Sequence, residues 1–99
     1  MQELLTNIAE NAMESLVAEE IARQLKLYPE TRRQAFNLQK TEIAIYALNR
    51  LPVLYASSQK ELTLQIELAK QNYLEKVRQL VSEGFLALET ETATIKIDR

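Results

Sequence analysis

Apolar residues recur at helical spacing through the N-terminal quarter of the chain. Leu5, Ile8, Ala12 and Leu16 form one row, and Ala9, Met13, Val17, Ile21 and Leu25 form a second. Steps of three and four are the period of an amphipathic helix. Asn7 with Glu10, or Asn11 with Glu14, has the spacing of a capping box. Pro29 ends the pattern, and Tyr28 before it is biased away from helical backbone. Two rows side by side make a wide stripe, which predicts contact with more than one neighbour.

The pattern then shortens. PETRRQAF allows a short helical turn with Pro29 at its first position, anchored by Phe36 and Leu38. A second helix is predicted from Gln39 or Thr41 to Arg50, buried through Ile43, Ala44, Ala47, Leu48 and Leu51, and closed by Pro52. Val53, Leu54 and Tyr55 read as an extended linker. Ser58 and Glu61 fit the cap of a third helix over about 59–83. Its stripe is Leu62, Ile66, Ala69, Tyr73, Val77 and Leu80, flanked by Leu74 and Val81, and Gly84 has the place of a C-terminal cap. Beyond it Phe85, Leu86 and Leu88 form a second apolar patch, and Ala93, Ile95 and Ile97 alternate with polar residues. That alternation predicts a β-hairpin over 85–97 with its turn near Glu91; a frayed tail is the alternative.

The expected fold is therefore mainly α: a single small helical domain over residues 1–99, with two long helices around a shorter one and a C-terminal β-hairpin. The long helices carry more apolar surface than one short helix covers, which predicts a homodimer. A compact antiparallel bundle within one chain would satisfy the same stripes.

Composition narrows the chemistry. The chain has no cysteine and no histidine, which removes disulfides, thiolate metal sites and the commonest general base. No Ser-His-Asp set, phosphate-cradling glycine loop or zinc spacing is visible, so neither catalysis nor a cofactor is expected. No apolar run approaches membrane-spanning length and no signal-peptide pattern opens the sequence, so a cytoplasmic protein without membrane contact is expected.

A net charge of -2 hides an asymmetry. Residues 31–60 hold five bases (Arg32, Arg33, Lys40, Arg50, Lys60) and one acid, Glu42, between two acidic flanks. A local positive field attracts anions whatever the net charge. Arg50 follows Asn49 at a helix C-terminus, where a cation is favoured on structural grounds alone; its planar donor fork also suits phosphate and can stack on a ring. Tyr55 offers a stacking face or a hydroxyl. Arg32 and Arg33 lie in an irregular segment, either as solvated charges or, with Lys40, near Arg50. Gln59 and Lys60 open the third helix, where a ligand phosphate would offset the unfavourable placement of a base. Tyr46 and Tyr73 lie in apolar stripes and read as core or dimer residues. Glu14, Glu19 and Glu20 are candidates to pair with Arg23. A winged helix-turn-helix has a similar outline, with TATIKI as the wing. Against duplex binding, Lys70, Lys76 and Arg78 alternate with Glu67, Glu75 and Glu83.

Two stretches carry a family resemblance. NAMESLVAEEIARQL (Asn11 to Leu25) and YALNRLPVLYASS (Tyr46 to Ser58) resemble the late competence development protein ComFB family, and within it the cyanobacterial branch of cyclic dinucleotide receptors. Asn11, Met13, Glu14, Val17 and Glu20 match the first motif; Ala47, Leu48, Asn49, Arg50, Leu51, Pro52 and Tyr55 match the second, longer one. The resemblance implies a helical homodimer without catalysis that binds cyclic di-GMP or cyclic di-AMP and signals through an effector protein, in control of cell size or competence. Val53 stands where the family often has a second proline, and the cysteines of other branches are absent, so no zinc role carries over. The ligand-binding set expected on these grounds is Arg50, Asn49, Tyr55, Arg32, Arg33, Lys40, Lys60 and Gln59. A ligand-free interaction adaptor and, behind it, a DNA-binding regulator are the alternatives.

Overall fold

The computed structural model describes the backbone of residues 10–97 and the side chains of residues 10–90. The elements in chain order are β1 (Glu10–Asn11), α1 (Ala12–Leu25), α2 (Glu30–Leu38), α3 (Lys40–Leu48), β2 (Tyr55–Ala56) and α4 (Gln59–Ile97).

The first helix begins later than its apolar rows predict. Glu10 and Asn11 are extended and pair antiparallel with Ala56 and Tyr55; Leu5, Ile8, Ala9 and the Asn7 cap lie outside the described residues. Asn11 is the cap of α1, its Oδ1 accepting the Met13 N–H at 3.1 Å and the Leu54 N–H at 3.0 Å. One side chain thus closes a helix start and pins the linker that precedes β2. The Ala12 N–H adds a bond to the Leu54 carbonyl at 2.8 Å. Helices α1 and α4 run side by side with the same polarity, Glu20 meeting Arg78 and, one turn on, Gln24 meeting Ser82.

Pro29 caps α2 rather than opening it, and the predicted turn is a full helix of nine residues. The Ser58 cap holds: its Oγ accepts the Glu61 N–H at 3.1 Å. The Glu61 carboxylate accepts instead from the Ser57 hydroxyl at 2.8 Å.

The C-terminal third departs most from expectation. Helix α4 does not stop at Gly84, and no hairpin follows; it continues without a break to Ile97. The residues read as a second patch extend the first stripe, because Val81, Phe85 and Leu88 keep helical spacing and all three are buried. Phe85 meets Tyr28 and Phe36, with ring centroids 5.2 and 5.0 Å away, and Tyr28 meets Phe36 at 4.8 Å. The alternating side chains of Ala93, Ile95 and Ile97 fall outside the described side chains. With no hairpin there is no wing, and the winged-helix outline is lost.

Gly84 serves packing instead of termination. It is buried in mid-helix and has no positive φ. A Cβ there would lie 3.0 Å from Cγ2 of Ile43, which is itself buried in α3. The absent side chain is what lets α3 seat on α4. Met13, Val17, Ile21, Ile43, Ala47, Val77 and Val81 form the centre of the core shared by α1, α3 and α4.

Candidate functional site

The structure divides the sequence-predicted binding residues into groups. Tyr55, Gln59 and Lys60 lie at the clip, where β2 leads into α4; Tyr55 is 61% exposed. Arg32 lies at the other end, with Nη2 paired to Glu89 Oε1 and its guanidinium 5.7 Å from the Phe36 ring centroid. Arg33 donates to the Tyr28 carbonyl at 3.3 Å. Lys60 and Glu89 are separated by about 43 Å of helix at 1.5 Å rise per residue. One small ligand on one chain cannot touch both ends. Lys40 opens α3 and lines a separate groove of about 350 Å³ with Ala18, Ile21, Leu25 and Thr41.

The middle group is Asn49 and Arg50. Asn49 caps α3, its N–H bonding the Ile45 carbonyl at 3.0 Å. The Arg50 side chain folds back over the preceding turn. Its Nη1 donates to the Tyr46 carbonyl at 2.8 Å, and its guanidinium carbon lies 3.6 Å from the Tyr46 ring centroid. The Tyr46 hydroxyl bonds Glu83 Oε1 at 3.1 Å, and Gln79 Nε2 bonds Glu83 Oε2 at 3.0 Å. Tyr46 is therefore half-buried as its stripe predicts, and is also the platform for Arg50. Tyr73 packs against the core as expected.

The most enclosed polar cluster was only partly visible in the sequence. Glu20 pairs with Arg23, as its spacing suggests, but it is buried at 4% exposure. Arg23 Nε donates to both Glu20 oxygens at 3.0 Å, and its Nη2 reaches Oε2 at 2.5 Å. Gln24 Nε2 donates to the same Oε2 at 2.8 Å and to the Arg78 carbonyl at 3.0 Å, while Ser82 Oγ donates to Gln24 Oε1 at 3.0 Å. Burial alone would push the Glu20 carboxyl up. The bonds from Arg23 and Gln24, with the charges of Arg23 and Arg78, outweigh it and hold the pKa below the ordinary value. The same bond raises the Arg23 pKa. Tyr28, at the far end, is raised by burial and by Glu89, against Arg32.

Two grooves open beside this cluster between α1 and α4. One, of about 430 Å³, is lined by apolar Leu16, Ala22 and Leu74, by the cations Arg23, Lys26, Lys70 and Arg78, and by Glu19 and Glu20. The other, of about 640 Å³, shares Arg23 and Arg78 and adds Lys76 and Glu75.

The family follows from a comparison with protein-family models. The model of late competence development protein ComFB matches residues 10–92, from β1 through most of α4. The chain belongs to the ComFB family. A comparison with curated proteins gives no match. The match covers both motifs and extends along α4. No helix among the described residues is long and apolar enough to cross a membrane.

Proposed function

We propose that this ComFB protein is a non-catalytic receptor for a cyclic dinucleotide, cyclic di-GMP or cyclic di-AMP. In this reading it acts in the cytoplasm as a homodimer and passes the signal to an effector protein by contact, in control of cell size or competence. Family membership supplies the frame. The observation that carries the reading is the Arg50–Tyr46 stack on the protein surface. The ring supports one face of the guanidinium at 3.6 Å, and Arg50 is exposed, so a purine can stack on the other face. Asn49 beside it offers both donors and acceptors to a base edge, and exposed Tyr55 offers a second ring. Leu64 and Leu68, one turn apart on α4, are 60% and 42% exposed. They give an apolar strip that a second copy can cover.

Isothermal titration of the protein with cyclic di-GMP, cyclic di-AMP and linear pGpG tests this. Saturable binding of one cyclic form is expected, and Arg50→Ala is expected to weaken it by about tenfold, the worth of one desolvated cation–π stack. Light scattering is expected to give a two-chain mass. Silence from all three ligands would leave an adaptor that acts by protein contact alone; a one-chain mass at micromolar protein would remove the homodimer.

A further inference from the structure

Lys70, Lys76 and Arg78 alternate in sequence with Glu67, Glu75 and Glu83, yet the fold sorts these charges. Lys70, Leu74 and Arg78 follow at four-residue steps and share the edge of α4 that faces α1. Arg23 and Lys26 face them from α1, and Lys76 extends the margin. Five cations thus line the two joined grooves against three carboxylates, Glu19, Glu20 and Glu75. That is a local excess of two positive charges on a chain of net charge -2.

The arrangement exceeds what stability requires. A buried carboxylate needs one cation and satisfied oxygens, and Arg23 with Gln24 already supplies both to Glu20. Arg78 is a surplus. Its Nε is 3.7 Å from Glu20 Oε1 and its Nη1 is 3.7 Å from Glu75 Oε1. Its guanidinium makes no hydrogen bond among the described residues, although the side chain is 44% exposed. Lys26, Lys70 and Lys76 have no ion-pair partner among the described residues either. The arginines of the middle third, by contrast, each donate a hydrogen bond within the chain, Arg32 to Glu89, Arg33 to the Tyr28 carbonyl and Arg50 to the Tyr46 carbonyl.

We propose that the α1–α4 groove is a binding site for a phosphate-bearing nucleotide. Arg78 and Lys70 take the phosphate oxygens, and Glu20 is a positioning residue that holds Arg23 and Arg78 side by side against their mutual repulsion. Arg presents a planar fork to phosphate and Lys a point charge. The apolar side chains in its lining, Leu16, Ala22 and Leu74, suit a flat base joined to that phosphate, and about 430 Å³ is within the range of small-molecule sites. This site is separate from the Asn49–Arg50 surface and does not depend on the ligand proposed there.

NMR titration of the full chain, following backbone amides and arginine Nε–Hε signals at physiological salt, tests the site. The probes are inorganic phosphate and GMP at millimolar concentration. Saturable shifts centred on Arg78 and Lys70, tighter for GMP than for phosphate, are expected. The double variant R78A/K70A, changed only at exposed positions, is expected to lose about tenfold or more in affinity. Shifts that stay linear with concentration, equal affinity for the two probes, or unchanged binding in the double variant would overturn the proposal. Glu20→Gln separates positioning from bulk charge. It removes a negative charge from the groove, so a diffuse cationic surface would bind GMP more tightly. A site organised by the carboxylate binds it more weakly, which is the expected result; tighter binding would overturn the role of Glu20.

Discussion

Replacing Gly84 by alanine sets two effects of opposite sign against each other. In mid-helix, Ala is favoured over Gly by about 0.8–1.0 kcal/mol, so helix propensity alone would stabilise α4. The added Cβ would sit 3.0 Å from Ile43 Cγ2 and 3.5 Å from the Ile43 Cα and carbonyl oxygen. Carbon atoms are comfortable at about 3.5–4.0 Å, so the methyl must retreat by about half an ångström. Ile43 has little room for that. It is 1% exposed, and a β-branched side chain in a helix has one strongly preferred rotamer. Moving α3 as a body is the remaining route, and overpacking of this kind costs about 1–3 kcal/mol. The net expectation for G84A is a loss of about 1 kcal/mol, read from urea denaturation at fixed protein concentration.

A loss alone would not establish close packing, since a cap glycine in the left-handed region would also resist alanine. The Ile43→Ala background separates the two causes. Truncating Ile43 alone costs about 2–5 kcal/mol and removes the methyl that Cβ would meet. In that background G84A is expected to stabilise, through propensity and partial refilling of the space, giving a coupling energy of about 2 kcal/mol between positions 43 and 84. Equal destabilisation by G84A in both backgrounds would refute the close-packing account and restore the cap.

Two further perturbations test the clip and the buried carboxylate. Asn11→Ala removes the cap of α1 and strands the Leu54 N–H, and is expected to cost about 2–3 kcal/mol in chemical denaturation; Asn11→Asp, which keeps an acceptor for both N–H groups, is expected to recover most of that. Because the folded-state pKa of Glu20 is lowered, its contribution to stability is present above the ordinary carboxylate pKa and is lost as pH falls through the depressed folded value. Urea midpoints of the native chain are therefore expected to fall on that acid limb more steeply than those of Glu20→Gln; parallel limbs would show that folding leaves the Glu20 pKa unshifted.

What could be read from the chain divides by the range of the interactions involved. Helices α1 and α3 were legible because an apolar period, a proline and a cap are local signals. The Ser58 cap was legible for the same reason. Gly84 was misread because a glycine near the end of a stripe has the same local appearance whether it turns the chain or admits a neighbour. The deciding contact is Ile43, 41 residues earlier. The hairpin followed from that error, since ending α4 at Gly84 detached Phe85 and Leu88 from the stripe they continue. The two-residue strands carry no pattern at all and exist only as a pair. At the candidate sites the same limit applies. Counting bases pointed to the middle third, where five sit in thirty residues, but a count cannot show which guanidiniums the fold has already occupied. Arg32, Arg33 and Arg50 each donate a hydrogen bond inside the chain, whereas the side chain of Arg78, diluted in sequence by glutamates, donates none among the described residues and emerges beside Arg23 only because α1 packs against α4. Charge density along a sequence therefore locates where anions are attracted, and the hydrogen bonds left unmade after folding locate where one can be held.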